Sequence, residues 1–364
     1  MYLKKMASLV GAAVLSVGVL AGCGSSGGGG SAPAPAAGGS GGAPCPLVEA
    51  ADPGNSQPPA GVPTADQAPK LAKTTGIKAA FSQNASNNPW RLAETASMQE
   101  EAAKQGVQLT VTDANNEQSK QISDIKGLIA QKPDVLFIAP ITEQIANVVK
   151  DASTAGIPVF LLDRDVDHAV AQPGKDFVTV IQSDFVQEGK RAAVQMAKAT
   201  GGNAKIIELE GTTGASPAID RKKGFDEAIQ QCPGMQVVVS QDADFTRAKG
   251  QSVAETLLQS HPDATAIYAH NDEMALGAIA ALKAIGKTPG QDVKVVSIDG
   301  EKDGIKAVST GELFATVECS PRFGPLAFST MKDYADGKPV PTLIINQDQL
   351  FTKDNAAANI EKAY

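Results

Sequence analysis

The sequence predicts an α/β fold of two similar doubly wound parallel-sheet lobes. Short apolar runs such as Val135-Leu136-Phe137-Ile138 alternate with longer stretches of helical spacing, as repeated βαβ units require. The runs are apolar at consecutive positions, which suits strands covered on both faces. The alternation then begins afresh near Lys205, so two comparable halves follow one another between Gly76 and Tyr364.

In the first half, strand signals lie at Ile77 to Phe81, Val135 to Ile138, Ile157 to Leu162 and Phe177 to Ile181, with a further strand ahead of Asp113. Ile122, Ile125, Leu128 and Ile129 recur at three- and four-residue spacing and form one apolar helical face. The second half reads strand Lys205 to Leu209, helix Ile219 to Gln230, strand Gln236 to Val239, helix Arg247 to Gln259, strand Thr265 to Ala269, helix Glu273 to Ile285 and strand Val293 to Ile298. About 290 residues are involved, enough for two well-packed lobes.

The residues before Gly76 are of another kind. Lys4 and Lys5 precede an apolar run from Met6 to Leu20 that ends in Leu20-Ala21-Gly22-Cys23. That run is short of the roughly 20 residues a permanent span needs, so residues 1–22 read as a cleaved lipoprotein signal. Small Ala21 and Gly22 admit a peptidase, and Cys23 is the expected lipidated N-terminus. Gly- and Pro-rich sequence such as Gly27-Gly28-Gly29-Gly30 follows, with hardly a large apolar residue. Residues 23–75 are therefore expected to be a flexible tether from membrane to folded body.

The formal net charge is −8, and losing Lys4 and Lys5 with the signal makes it more negative, which is the wrong sign for a nucleic-acid partner. Of the four cysteines, lipidation of Cys23 leaves Cys45, Cys232 and Cys319, an odd number for an oxidising compartment, so at least one thiol stays free. The pairing among them is open. His168, His261 and His270 are scattered and no C-x-x-C pair occurs, so neither a metal nor another cofactor is expected.

In doubly wound sheets ligands sit beyond the carboxyl ends of the strands. Those ends carry Ser82-Gln83, Asp113 to Asn116, Asp163-Arg164-Asp165, Asn271-Asp272 and Asp299. Planar carboxylate, carboxamide and guanidinium groups can bond adjacent hydroxyls pairwise, as a polyol demands. Trp90, the only tryptophan, follows Asn88-Pro89 and is placed to cover the C–H face of a sugar ring. Asp, Asn and Ser are also favoured as caps and turn residues; their gathering at one edge of two lobes is what favours binding.

From Gly76 to Tyr364 the chain resembles the ribose- and galactose-type periplasmic binding proteins that feed ABC sugar importers, and within them most resembles the galactofuranose-binding group. The resemblance rests on Asn87-Asn88-Pro89-Trp90-Arg91, Phe160-Leu161-Leu162-Asp163-Arg164, Gly211 to Ser216 continuing through Ala218 to Phe225, Asp244-Phe245-Thr246-Arg247, Tyr268 to Gly277, and Ser297-Ile298-Asp299-Gly300. It implies two Rossmann-like lobes joined by a three-strand hinge, with the ligand in the cleft between them. The hinge crossings would fall near Gln182 to Asp184, Glu318 to Pro321 and Asn346 to Gln349. The lobes would then comprise residues 76–182 plus 320–346 and residues 183–319 plus 347–364.

Carried over by position, the resemblance implies hydroxyl contacts from Asp163 and Arg164 in the first lobe, which Asn88 and Trp90 complete, and from Arg221, Asn271 and Asp299 in the second. Ser82, Gln83 and Arg91 complete the expected site. Arg91 stands where ribose binders place a second aromatic, which favours the furanose-like group over ribose. Cys319 stands where ribose binders offer a glutamine. The expected ligand is a monosaccharide, the expected partners are the permease subunits of an importer, and the chain is expected to act as a monomer.

An enzyme is disfavoured: from Gly76 onward the sequence has no G-x-S-x-G elbow, no H-E-x-x-H and no G-x-x-x-x-G-K-[ST] loop, and Gly211 to Ser216 lacks a phosphate-binding lysine. A sugar-responsive repressor would need a helix-turn-helix where the Gly/Pro-rich segment stands. A ligand sensor of the same fold, such as a chemoreceptor or autoinducer partner, is the remaining alternative.

Overall fold

In a computed structural model of the protein, residues 44–58 and 60–364 are described. The expected signal over residues 1–22, Cys23 and the expected tether as far as residue 43 lie outside the described residues.

The first sheet contains β1 (Lys78–Gln83), β2 (Gln108–Asp113), β3 (Val135–Ile138), β4 (Val159–Leu162), β5 (Thr179–Gln182) and, late in the chain, β11 (Leu343–Ile345). Its order is β11-β5-β4-β3-β1-β2, all parallel. It is flanked by α1 (Pro89–Lys104), α2 (Gln118–Ala130), α3 (Ala146–Thr154) and α9 (Gly324–Ala335). β3 and β4 are buried at every position, as their unbroken apolar sequences require. Phe137 lies between Phe160 and Phe328, which ties α9 to this sheet.

The second sheet contains β6 (Ala204–Glu210), β7 (Met235–Asp242), β8 (Ala266–Ala269), β9 (Lys294–Asp299), β10 (Ala315–Glu318) and β12 (Leu350–Thr352). Its order is β12-β10-β9-β8-β6-β7, parallel except for β12, which runs antiparallel to β10. Its helices are α4 (Phe185–Thr200), α5 (Ser216–Ile229), α6 (Arg247–Ser260), α7 (Asp272–Ala284), α8 (Lys302–Thr310) and the short α10 (Ala356–Asn359). Phe225 stacks on Tyr268 with ring centroids 4.0 Å apart, binding α5 to β8. α5 begins three residues before the periodicity suggests, because Pro217 in its first turn carries no N–H that a helix would leave unpaired.

Beyond β1, the described chain passes between the sheets at residues 183–184, 319–323 and 346–349. The interlobe rim is bridged directly. Asn116 Nδ2 donates to both Asp244 oxygens at 3.2 and 3.1 Å, Glu143 N to the Gly214 carbonyl at 3.1 Å, and Asp165 N to Ser216 Oγ at 3.0 Å.

The tether expected over residues 23–75 needs correcting from Cys45 to Lys73. Cys45 forms a disulfide with Cys232, while Cys319 is a free, buried thiol. Leu47, Ala65, Ala68 and Leu71 are buried, and Thr64 forms a β-bridge with Pro341. Composition is a poor guide here because the few apolar residues are spaced to meet the body one at a time. The prolines and the cross-link lower the entropy lost on ordering.

Candidate functional site

Asn88, Trp90, Arg91, Asp163, Arg164, Pro217, Arg221, Phe245, Asn271, Asp299 and Cys319 surround one cavity between the two sheets. The first lobe contributes through the start of α1 and the turn after β4; the second contributes through α5, the β7–α6 turn, the start of α7 and the end of β9.

Two asparagines are set by helix starts. Asn88 Oδ1 accepts from Arg91 N at 2.9 Å and caps α1, and Asn271 Oδ1 accepts from Met274 N at 3.0 Å and caps α7. Capping fixes each oxygen, and each carboxamide nitrogen donates to the carbonyl of Phe245, itself a lining residue of the cavity. Two aspartates are set by the backbone: Asp163 has φ +63° and Asp299 φ +127°, in a region few non-glycine residues adopt. Such strain at strand ends is held by the surrounding fold and gathers at binding sites.

The cations are braced from behind. Arg91 reaches Asp163 at 2.5 Å and Glu94 at 2.8 Å, and its guanidinium lies 4.4 Å from the centre of the Trp90 ring. Arg164 donates to the Ile141 carbonyl at 2.7 Å and lies 5.3 Å from the centre of the Phe245 ring; its buried Nε has no hydrogen-bond partner among the described residues. Arg221 pairs with Glu188 at 2.8 Å, donates to the His270 carbonyl at 2.6 Å and lies 3.6 Å from Asp299.

Burial opposes the charge on Arg91 and Arg221, but Asp163 and Glu94 in the first case, and Glu188 and Asp299 in the second, hold both above the usual arginine range. Burial, with Arg91 nearby, pushes Arg164 down, yet it keeps its charge at neutral pH. Burial raises Glu94 to about 7 and Glu188 to about 8 against the pull of their arginines. It also pushes up Asp299 and the Cys319 thiol, which leaves Cys319 a poor nucleophile. His270 is fully buried and bonded to Glu208 at 3.1 Å, outside the cavity lining.

Of the expected residues, the cavity brings together Asn88, Trp90, Arg91, Asp163, Arg164, Arg221, Asn271 and Asp299. Ser82 and Gln83 do not line it. Both are buried, and Gln83 Nε2 instead donates to Glu94 at 2.9 Å and Thr95 at 3.0 Å, supporting the carboxylate behind Arg91. β1 runs on through Gln83, so its last residues stay inside the lobe. Phe245, Pro217 and Cys319 line the cavity without having been expected as contacts. Phe245 does not follow a strand directly, and strand-end reading therefore passes it by.

The free space is ≈ 30 Å³, room for a water or two. With planar donors and acceptors from both lobes and two aromatic rings, the site is equipped to bond a small, flat polyhydroxylated molecule once the lobes part to admit it.

Residues 79–339 match the periplasmic binding protein domain. The galactofuranose-binding protein YtfQ of Escherichia coli K12 is 39% identical over 298 residues, 80% of this chain and 93% of that protein. The ribose import binding protein RbsB of Bacillus subtilis is 40% identical over 260 residues, 71% of this chain and 81% of that protein. A crystal structure of a galactofuranose binding protein superposes with a TM-score of 0.76 at 39% identity, covering 79% of this chain and 98% of that one. A Shewanella arabinose-transporter binding component with bound arabinofuranose gives 0.75 at 40% identity, covering 78% and 95%. With this match over most of its folded length, the chain belongs to the periplasmic binding protein domain family.

Proposed function

We propose that this protein is the substrate-binding lipoprotein of an ABC importer, which captures a monosaccharide in the interlobe cleft and hands it to the permease. The observation that carries this reading is the convergence of Arg91, Asp163 and Arg164 from one lobe with Arg221, Asn271 and Asp299 from the other on a single cavity. A furanose such as galactofuranose or arabinofuranose fits best. Arg91 gives the first lobe a hydrogen-bonding face beside Trp90, and the relatives named for galactofuranose and arabinofuranose point the same way. The lobes would turn about residues 183–184, 319–323 and 346–349, with ligand contacts favouring the closed form. Lipidated Cys23 would hold the protein on the outer face of a membrane, as a monomer.

The test is a thermal-shift screen against L-arabinose, D-galactose, D-fucose, D-ribose, D-xylose, D-glucose, D-fructose and autoinducer. Ligand at a hundred times its dissociation constant adds about 2.7 kcal/mol of stability. A large shift with galactose or arabinose supports the reading; a response confined to autoinducer would favour a sensor, and silence across every sugar overturns it.

A further inference from the structure

Residues 45–73 touch, in order, the second lobe, one interlobe crossing and the first lobe. Cys45 is bonded to Cys232 in the loop before β7 and packs on Gly202 in the loop before β6. Leu47 is buried, and the turn Pro46–Val48 lies on α4. The chain then follows α4 toward its N-terminus: Asp52 pairs with Arg191 at 2.9 Å, and the Gly54 carbonyl accepts from Gln187 Nε2 at 2.8 Å.

Asn55 reaches the crossing itself. Its Nδ2 donates to the Asp348 carbonyl at 2.8 Å, while Arg191 Nη1 donates to that carbonyl at 3.1 Å and to Asn55 Oδ1 at 3.2 Å. Beyond Asn55 the partners belong to the first lobe. The Pro63 carbonyl accepts from Thr342 N at 2.8 Å, Ala65 N donates to the Val340 carbonyl at 2.9 Å, Tyr334 donates to the carbonyls of Ala68 and Pro69, and Lys73 pairs with Asp134 at 2.8 Å.

A segment held by the second lobe and the crossing as far as Asn55, and by the first lobe from Pro63 on, resists any rotation that pulls those two sets of contacts apart. All of these contacts coexist with the bridged rim, where Asn116 meets Asp244. Residues 45–73 precede the matched family domain, so the restraint is an addition to it.

We infer that residues 45–73 are a fourth, disulfide-anchored connection between the lobes, in which Asn55 and Arg191 clamp the crossing at Asp348 and bias the free protein toward the closed cleft. A free protein already biased to the closed form gives up less binding energy to close, which raises affinity without any contact to ligand. Only that consequence rests on the sugar-binding reading; the restraint is a property of the unliganded molecule.

The experiment therefore uses no sugar. Asp52→Ala/Asn55→Ala removes two partly exposed side chains and leaves the disulfide and the core in place, so a cooperative melt is retained; Cys45→Ser/Cys232→Ser releases the far anchor. Trp90 donates to the Cys319 carbonyl at 2.7 Å and, as the only tryptophan, reports cleft opening through its emission. Acrylamide quenching of Trp90 and amide exchange at residues 346–349 are each expected to rise about threefold or more in both variants, with a red-shifted emission. Quenching and exchange equal to wild type in Asp52→Ala/Asn55→Ala overturn the clamp, and wild-type behaviour in both variants overturns the restraint as a whole. A protein that binds no sugar would leave these readouts unaffected, so the two readings fail separately.

Discussion

Asn88 and Asn271 stand on opposite lobes, each capping a helix, and both direct a carboxamide N–H to the same acceptor, the carbonyl oxygen of Phe245, at 3.4 and 3.2 Å. The cap fixes the oxygen and the fold thereby aims the nitrogen. Two substitutions separate these duties at Asn271. Asn271→Asp keeps a capping oxygen and loses the donor; Asn271→Ala loses both. Asn271→Asp is expected to weaken sugar binding about tenfold and, because its second oxygen faces the Phe245 carbonyl, to lose stability that acid restores by protonating it, whereas Asn271→Ala loses about 1 kcal/mol at every pH. Chemical denaturation and isothermal titration check this, and a normal affinity in Asn271→Asp would remove the nitrogen from the site.

Arg221 is braced by Glu188 and faces Asp299, so its removal has a cost beyond the ligand. Arg221→Ala leaves Glu188, which burial already keeps protonated up to about pH 8, and Asp299 without their hydrogen-bond donor, a loss of about 1–3 kcal/mol, together with at least a tenfold loss of affinity. In Arg221→Ala/Glu188→Gln an amide replaces the orphaned carboxyl. Stability should recover in part while affinity stays low. Recovery of both would mean that Arg221 acts only through folding.

The lobes were legible because buried parallel strands are written as unbroken apolar runs: Val135 to Ile138 is β3 in full, and the run Ile157 to Leu162 gives β4 from Val159, after Pro158. Strand-end polar residues likewise pointed to Asp163, Asn271 and Asp299. Ser82 and Gln83 obeyed the same rule yet face inward, since a rule about sequence position does not say which way a side chain turns. The packing of residues 45–73 was hidden for another reason. Its contacts are isolated pairings such as Asn55 with the Asp348 carbonyl, at long sequence separation, and leave no periodic trace.

Phe245 owes its place in the cavity to Gly211. A Cβ on Gly211 would sit 1.8 Å from the Phe245 Cζ, and Phe245 itself has φ +56°. Gly211→Ala must therefore displace the ring from beside Arg164. The expected result is a loss of about 1–3 kcal/mol, as for other overpacked sites, and a sugar affinity reduced at least as much as in Phe245→Ala. Equal affinity in Gly211→Ala and wild type would show that the ring does not face the ligand.

The buried carboxylates set the pH dependence of stability. Burial raises Glu188 from 4.5 to about 8, Glu94 from 4.5 to about 7 and Asp348 from 3.8 to about 6. The folded state thus binds these protons more tightly than the unfolded state, so their contribution is complete below the unfolded values and is lost as pH rises through the folded ones. Glu208 acts in the opposite sense: against burial, His270, Lys222 and Ser240 hold it down to about 2, and its contribution is lost as pH falls below 4.5 toward that value. The melting temperature should therefore peak on the acid side, near pH 4.5, and fall toward pH 8. Glu188→Gln carries no titrating proton, and its melting temperature should fall less steeply than wild type over the same range. Calorimetric melts from pH 4 to 9 decide it. A wild-type curve that rises toward pH 8, with Glu188→Gln parallel to it, would mean that Arg221 holds Glu188 ionised in the folded protein throughout.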